Sequence, residues 1–228
     1  MSTLPRPLKW PPTFPLQKGL VAWYPFDDRS GAVLRDRSGQ GNHGTLYGPT
    51  WVAGRRGSAL SFDGSNDYVK VPDSASLKLT DAITLEAWIK PSVWRYHGIM
   101  AKGAFTGVFG DYILNQVDYG NIIFSLNSTG GELTSGVKPA VGLWTHIVAT
   151  YSVSSGKMRL YFNGVKGTLE TNYSTAINTS ATDLRIGQYY SASYFWSGAI
   201  GEVRVYNRAL NAAEIKRLYE SELMLVRH

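Results

Sequence analysis

Apolar and polar residues alternate through residues 142–165, which read GLWTHIVATYSVSSGKMRLYFNGV. Apolar side chains recur at every second position, first at Ile147, Ala149 and Tyr151 and then at Met158, Leu160 and Phe162. A period of two directs one face of a strand into a core, so this pattern predicts two strands. Asn163 and Gly164 supply the two positive-φ residues that a two-residue hairpin turn needs. The segment is therefore predicted to be part of an antiparallel sheet.

The same alternation recurs along most of the chain, whereas residues 27–50 are predicted to be rich in loops. The predicted strands are residues 20–24, 59–63, 67–71, 82–90, 98–102, 112–116, 122–126, 144–151, 157–162, 184–188 and 199–206. About a dozen short strands separated by turn signals favour an all-β, two-sheet antiparallel sandwich of the jelly-roll kind.

One short helix is predicted near the C-terminus. Asn211 is a good N-cap and Glu214 follows three residues later, which is the capping-box arrangement. Leu210 and Ile215 occupy the positions of a hydrophobic staple. We expect this helix to close one end or edge of the sandwich.

Prolines divide the chain into an N-terminal arm, residues 1–18, and one domain, residues 19–228. Five of the ten prolines lie within the first 15 residues. Proline disfavours a helix and favours an extended chain. Trp10 and Phe14 are candidates to attach the arm to the domain or to a neighbouring subunit, which would allow a homo-oligomer or a larger assembly.

Composition and charge exclude several classes of function. The chain has no cysteine, which excludes disulfides, thiolate metal sites and thiol nucleophiles. The net charge is +6, of which residues 1–60 contribute +5, with eight basic and three acidic residues. The basic residues form no run and no nucleic-acid motif accompanies them, so an ordinary solvated surface is favoured over nucleic-acid binding.

No apolar run reaches the roughly 18 residues of a membrane span, and the start lacks the apolar region of a secretory signal peptide.

Several segments together resemble the laminin-G-like (LamG) type of concanavalin-A-like jelly rolls, with a more distant likeness to pentraxins. The matching segments are GLVAWYPFDDRSG (19–31), DRSGQGNHGTL (36–46), GSALSFDGSNDYVKVPDS (57–74), ITLEAWIKPS (83–92), GLWTHIVATYS (142–152), GKMRLYFNGV (156–165), LRIGQ (184–188) and FWSGAIGEVRVYNRALNAAEI (195–215). The resemblance implies two curved antiparallel sheets, one concave face, and binding of carbohydrate or cell-surface glycans more often than catalysis. A shared fold does not by itself establish a function.

The resemblance also implies that one calcium ion could be held. Calcium takes six to eight oxygen ligands, and the candidates are Asp27, Asp36, Asn42 and Glu202. Such an ion would join the glycine-rich loop at residues 36–44 to the strand that carries Glu202. Alternatively, Asp and Asn in this loop cap their own backbone in Asx-turns. Gly201 stands where many LamG-type sequences have Asp, which weakens the calcium interpretation. The acidic run of the pentraxin double calcium site is replaced by Gln-Tyr-Tyr-Ser at residues 188–191, so we expect at most one structural calcium ion.

Aromatic residues form a second candidate site. The candidate ligand-binding residues are Trp94, Tyr96, Tyr189, Tyr190 and Tyr194, the last three in the segment QYYSASYFW. Exposed rings beside amides suit the apolar faces and hydroxyls of sugars. Alternatively, tyrosine-rich loops serve protein interfaces, and Phe195 and Trp196 could enter the core.

Catalysis has little support from the residue pattern. The resemblance implies that glucanases of this fold place two carboxylates on one strand, as acid and nucleophile. No predicted strand carries such a pair: Glu86 stands alone with Trp88 on its face, and Glu202 has no acidic partner. The leading hypothesis is a non-catalytic module that binds a glycan or another cell-surface ligand. The alternatives are a structural or receptor-binding component of a virion or other surface assembly, and thirdly a glycan-degrading enzyme. An extracellular or virion-surface location is expected.

Overall fold

Alternating apolar positions form eighteen strands and one α-helix in the part of the chain that the computed structural model describes, namely residues 15–103, 110–127, 131–190 and 193–224. The strands are β1 (Leu20–Tyr24), β2 (Val33–Leu34), β3 (Gly44–Tyr47), β4 (Thr50–Ala53), β5 (Ser58–Asp63), β6 (Tyr68–Val71), β7 (Ala82–Pro91), β8 (His97–Gly103), β9 (Gly110–Gln116), β10 (Ile122–Leu126), β11 (Gly131–Thr134), β12 (Thr145–Ser152), β13 (Lys157–Phe162), β14 (Val165–Asn172), β15 (Leu184–Ile186), β16 (Gln188–Tyr190), β17 (Ser193–Phe195) and β18 (Ser197–Tyr206). The helix is α1 (Ala212–Met224), and short 3-10 helices span Pro15–Gln17, Ala75–Leu77 and Asp118–Gly120.

The strands form two large antiparallel sheets and one small hairpin. Sheet A has the order β14-β13-β12-β7-β18-β5-β4, and β1 also pairs with β18. Sheet B has the order β11-β10-β9-β8-β15-β6-β3-β2. The hairpin consists of β16 and β17. This is the jelly-roll sandwich that the sequence predicts.

The core lies between the two sheets. Sheet A contributes Leu85, Ala87 and Ile147, and sheet B contributes Leu114 and Phe124, all fully buried in one cluster. Because successive strand residues point to opposite faces, the residues between these lie on the outer faces of the sheets. Those outer faces are where the fold places polar and aromatic side chains.

Most strand predictions are confirmed, and three coincide with the observed bounds: Leu20–Tyr24, Ile122–Leu126 and Lys157–Phe162. The predicted hairpin turn is also confirmed, since φ is 51° at Asn163 and 78° at Gly164. The prediction of loops over residues 27–50 is wrong in part, because β2 and β3 lie within it and β4 begins at its end. These strands have only two to four residues, so they contain too few alternating apolar positions to be recognised in the sequence.

The predicted strand at residues 184–188 is two strands that belong to different sheets. Gly187 separates them with φ of +82°, a value that favours glycine. A Cβ atom at this position would also lie 2.3 Å from the Phe62 ring. The chain therefore leaves sheet B after Ile186 and begins the β16–β17 hairpin.

The C-terminal helix and its capping box are confirmed, but its position differs from the prediction. The Asn211 N–H donates to Glu214 Oε2 at 2.9 Å, and the Glu214 N–H donates to Asn211 Oδ1 at 3.0 Å. Instead of an end or edge, the helix covers the outer face of sheet A. It does so because apolar side chains of the helix and of that face pack together. The buried cluster between them consists of Leu16, Val148, Tyr161, Tyr206, Leu210, Ile215 and Leu218.

The predicted N-terminal arm lies mostly outside the described residues, including Trp10 and Phe14. Residues 15–17 of that arm form a 3-10 helix, and Leu16 is buried against the helix cluster at 7% exposure. The end of the arm is thus attached to the domain, and the boundary at residue 18 stays a prediction.

Candidate functional site

The outer face of sheet B carries the candidate residues because its strands alternate. Leu114 of β9 points into the core, so Asn115 beside it lies on the outer face. Asn115 is aligned with Gly98 of β8 across the sheet. Glycine leaves the outer face free of a side chain at that point.

The β16–β17 hairpin lies directly over Gly98. A Cβ atom at Gly98 would be 2.1 Å from both the carbonyl carbon of Gln188 and the amide nitrogen of Tyr189. No side chain fits in that space, so glycine lets the hairpin pack flat on sheet B. Gly98 thereby positions the aromatic residues that the hairpin carries.

Three tyrosine rings meet at this place, one from the residue just before β8 and two from the hairpin. The ring centroids of Tyr96 lie 4.9 Å from Tyr194 and 5.4 Å from Tyr189, and Tyr189 and Tyr194 are 6.0 Å apart. These three residues form what we call the tyrosine cluster. Tyr194 is 44% exposed, and Tyr96 and Tyr189 are partly buried. The cluster therefore presents aromatic surface to solvent.

Polar groups surround the Tyr96 hydroxyl. Burial raises the pKa of Tyr96, Tyr189 and the Glu132 carboxylate raise it further, and a hydrogen bond with Asn115 opposes them. The hydroxyl is consequently protonated at neutral pH. Asn115 is 2% exposed, and its Oδ1 has no hydrogen-bond partner within the described residues. Aromatic rings, hydroxyls and an amide are thus gathered at one point.

The structure brings together three of the five predicted ligand-binding residues. Trp94 lies two residues before Tyr96 in the same β7–β8 connection, but its Nε1 donates to the Pro139 carbonyl at 2.8 Å and its ring covers Gly120. The side chain of Tyr190 lies outside the described residues. Trp196 is fully buried in the core, as one of the open interpretations held, and Phe195 is half-buried.

Asp36 and Asn42, two of the predicted calcium ligands, make hydrogen bonds within the protein. Asp36 accepts from the backbone N–H groups of Trp23, Ser38 and Asn42 at 2.8–2.9 Å. Asn42 donates through Nδ2 to the Val21 carbonyl at 2.7 Å. The bond from Ser38, two residues after Asp36, is an Asx-turn bond.

The other two predicted ligands form ion pairs. Glu202 Oε1 accepts from Trp23 Nε1 at 2.8 Å and pairs with Arg204. Asp27 is exposed and pairs with Arg37 at 3.1 Å. Trp23 thus joins the Asp36 loop to the Glu202 strand, the connection that we assigned to an ion.

These contacts do not fit a calcium site. The oxygens of Asp36 are directed at N–H donors, whereas calcium needs six to eight oxygens turned toward one point. Over the described residues, no group of three acidic or histidine side chains is placed to hold a metal ion. The calcium ion stays a prediction from the sequence.

Glu86 does not stand alone, contrary to the sequence interpretation. On the outer face of sheet A, its Oε1 lies 2.9 Å from His146 Nε2 and 2.7 Å from Arg204 Nη1. Burial alone would raise the pKa of Glu86, but Arg204 and His146 together hold it below its usual value. Glu86 and His146 are fully buried. The three residues are far apart in the sequence, so the sequence pattern did not predict that they meet.

Two clefts lie away from the tyrosine cluster. One of about 740 Å³ includes Trp23, Arg37 and Lys78 in its lining, and one of about 600 Å³ includes Trp23, Arg37 and Arg56. Cavity size alone would favour these clefts as ligand sites. We favour the tyrosine cluster, because three aromatic rings meet there and Tyr194 is 44% exposed.

The two facing antiparallel sheets form a β-sandwich of the lectin-like class. The family model Laminin_G_3, described as the concanavalin A-like lectin/glucanases superfamily, matches residues 63–216. The chain belongs to this superfamily, which confirms the resemblance seen in the sequence.

Similar proteins include receptors, enzymes and toxins. Adhesion G-protein coupled receptor V1 of Danio rerio is 23% identical over 145 residues, which is 60% of this chain and only 2% of the receptor. Domain 4 of AbnA, a GH43 extracellular arabinanase from Geobacillus stearothermophilus solved in complex with arabinotriose, has a TM-score of 0.72 and 22% identity, covering 88% of this chain and 98% of that chain. The binding domain of Paraclostridial Mosquitocidal Protein 1 has a TM-score of 0.73 and 16% identity, covering 90% and 53%. At these identities, the structural likeness shows the fold alone.

Over the described part of this chain, no helix combines the length and apolarity needed to cross a membrane.

Proposed function

We propose that this protein is a non-catalytic carbohydrate-binding module and that the tyrosine cluster is its binding site. The observation that carries the proposal is the meeting of Tyr96, Tyr189 and Tyr194 on the outer face of sheet B, with one ring 44% exposed. Sugar rings have apolar faces that pack on aromatic rings and hydroxyls that hydrogen-bond to polar groups.

The polar surroundings of the cluster support a sugar ligand over a purely apolar one. The hydroxyls of the half-buried Tyr96 and Tyr189, and the exposed Glu132 carboxylate whose charge acts on Tyr96, can donate or accept hydrogen bonds with sugar hydroxyls.

The similar proteins support the same ligand class and an extracellular place of action. The arabinanase domain that shares this fold was solved with a bound trisaccharide, and that enzyme is extracellular. The toxin chain that shares it is a binding domain.

The surroundings of two glutamates, Glu86 and Glu202, support binding without catalysis. Glu86 is fully buried between His146 and Arg204, where it cannot reach a polysaccharide. Glu202 is held by Trp23 and Arg204. A glycosidase needs two carboxyl groups that flank the scissile bond, and these two strand glutamates do not supply them. The role in a virion or other assembly depends on arm residues outside the described part and stays a prediction.

The experiment is affinity electrophoresis in native gels that contain arabinan, xylan, mixed-linkage glucan, galactan, hyaluronan or heparan sulfate. We expect at least one polymer to retard the wild-type protein. Tyr194→Ala should weaken that binding about tenfold or more, because it removes the most exposed ring of the cluster. Tyr194→Phe should retain most of the binding, because the ring is kept.

Leu169→Ala is the matched control. Leu169 is 50% exposed and lies on β14 of sheet A, away from the cluster. It should bind as the wild type does. Failure of all six polymers to retard the wild type, or equal retardation of Tyr194→Ala, would contradict the proposal.

A further inference from the structure

We propose that Tyr47 and Tyr68 form a second part of the same binding site, so that the ligand is a glycan chain of several units rather than one terminal sugar. This inference rests on the proposed function and extends it. It is carried by an aromatic pair on the outer face of sheet B, which the sequence analysis missed.

Tyr47 and Tyr68 are directly paired across β3 and β6. Their ring centroids are 4.7 Å apart and their planes differ by 9°, so the rings are stacked. Val69 and Val71 of β6 point into the core, which places Tyr68 on the outer face. Tyr47 is 43% exposed. The pair thus leaves part of the Tyr47 ring exposed to solvent, with Tyr68 packed behind it.

Charged side chains border this stacked pair. The guanidinium carbon of Arg185 lies 4.6 Å from the centre of the Tyr68 ring. Asp183 pairs with Arg185 at 3.6 Å and with Lys70 at 3.3 Å. Arginine, lysine and aspartate supply donors and acceptors for sugar hydroxyls beside the aromatic surface. The stacked pair therefore repeats the combination of rings and polar groups found at the tyrosine cluster.

The hairpin connects the two aromatic surfaces. Phe195 of β17 lies 6.4 Å from the Tyr68 ring, and its neighbour Tyr194 lies 4.9 Å from the Tyr96 ring. In the sheet beneath, β8, β15, β6 and β3 are consecutive. Three inter-strand steps span about 14 Å, which exceeds the width of a single sugar ring. A chain of several sugar units is the ligand that would contact both surfaces together.

The test compares chain lengths. The polymer that retards the wild type in affinity electrophoresis is converted to its oligosaccharides, from disaccharide to hexasaccharide, and binding is measured by calorimetry. Wild-type affinity should rise with chain length. The double variant Tyr47→Ala/Tyr68→Ala should bind the disaccharide as the wild type does and lose about tenfold or more on the hexasaccharide.

Two further double variants control for folding and for the loss of exposed apolar surface. Tyr47→Phe/Tyr68→Phe keeps both rings and should follow the wild type. Val165→Ala/Leu169→Ala removes two exposed apolar side chains from β14 and should also follow it.

The outcomes separate this inference from the proposed function. The inference is overturned alone if the wild type binds disaccharide and hexasaccharide equally, or if Tyr47→Ala/Tyr68→Ala matches the wild type on the hexasaccharide while Tyr194→Ala does not. If no polymer retards the wild type, the proposed function and this inference are both overturned.

Discussion

Tyr194 shows how one residue arranges the aromatic surface. Its φ is 67°, in the left-handed region that non-glycine residues adopt rarely and at a cost of about 1–3 kcal/mol. In an extended strand, Tyr194 and Phe195 would point to opposite faces. Here the Tyr194 ring contacts Tyr96 and the Phe195 ring approaches Tyr68. The backbone conformation thus lets neighbouring residues serve both aromatic surfaces.

The buried group of Glu86, His146 and Arg204 is the strongest test of stability at the residue scale. Arg204→Met should destabilise the protein by about 3–5 kcal/mol, because it leaves the Glu86 carboxylate buried without its cationic partner. Denaturant unfolding at neutral pH measures this change. A loss below about 1 kcal/mol would contradict the account. Lys216→Met, on the exposed face of α1, is the control and should change little.

The same group predicts a pH dependence. The pKa of Glu86 in the folded protein lies below its usual value of 4.5. Its ionised form therefore adds stability above about pH 4.5, and this contribution is lost as the pH falls through the lowered pKa. Glu86→Gln should be less stable than the wild type at neutral pH and should lose less stability on acidification below about pH 5. If the free energy of unfolding fell equally for the two proteins as the pH is lowered, Glu86 would not be held ionised in the folded protein.

At the scale of elements, Gly98 and the hairpin above it give a direct prediction. Gly98→Ala places a Cβ 2.1 Å from the backbone of the hairpin, which must then move. We expect a stability loss of about 1–3 kcal/mol from overpacking and a loss of carbohydrate binding of about tenfold or more, since Tyr189 and Tyr194 are displaced. Thermal unfolding and affinity electrophoresis measure the two effects.

Gly201→Ala is the matched control for this methyl addition. Its Cβ would make an ordinary contact of 3.4 Å with the Ala59 side chain in sheet A. It should therefore fold and bind as the wild type does. Wild-type binding by Gly98→Ala would show that the hairpin does not hold the site in place.

Elements differ in how far the sequence reveals them. The strands that form the centre of each sheet have clear alternation, and the helix has a capping box, so both were predicted. The strands β2, β3, β4, β11, β14 and β17 were missed, and with β3 the residue Tyr47. All of these except β14 have two to four residues, and β14 is mostly exposed, with no alternation of buried positions. All three residues of the tyrosine cluster were predicted, but Trp94 was wrongly grouped with them, because its direction depends on a hydrogen bond to Pro139 that is remote in sequence. The pairing of Tyr47 with Tyr68 is likewise a long-range contact that local patterns do not encode.

At the scale of the whole molecule, the outer faces of the two sheets differ in what covers them. The outer face of sheet A is covered by α1 and holds the buried Glu86 group. The outer face of sheet B carries the stacked pair and the tyrosine cluster, which leave Tyr47 and Tyr194 exposed. The proposed recognition site therefore lies on sheet B, and the sandwich core fixes the spacing of its aromatic residues.

The most direct measurement of this claim is a backbone amide NMR titration of the isotope-labelled protein with the hexasaccharide of the polymer that retards it. We predict that the largest shifts map to residues 45–47, 68–70, 96–98, 113–116 and 185–195. Shifts concentrated instead around Trp23 and Arg37 at the two clefts, or along α1, would contradict the placement of the binding site on the outer face of sheet B.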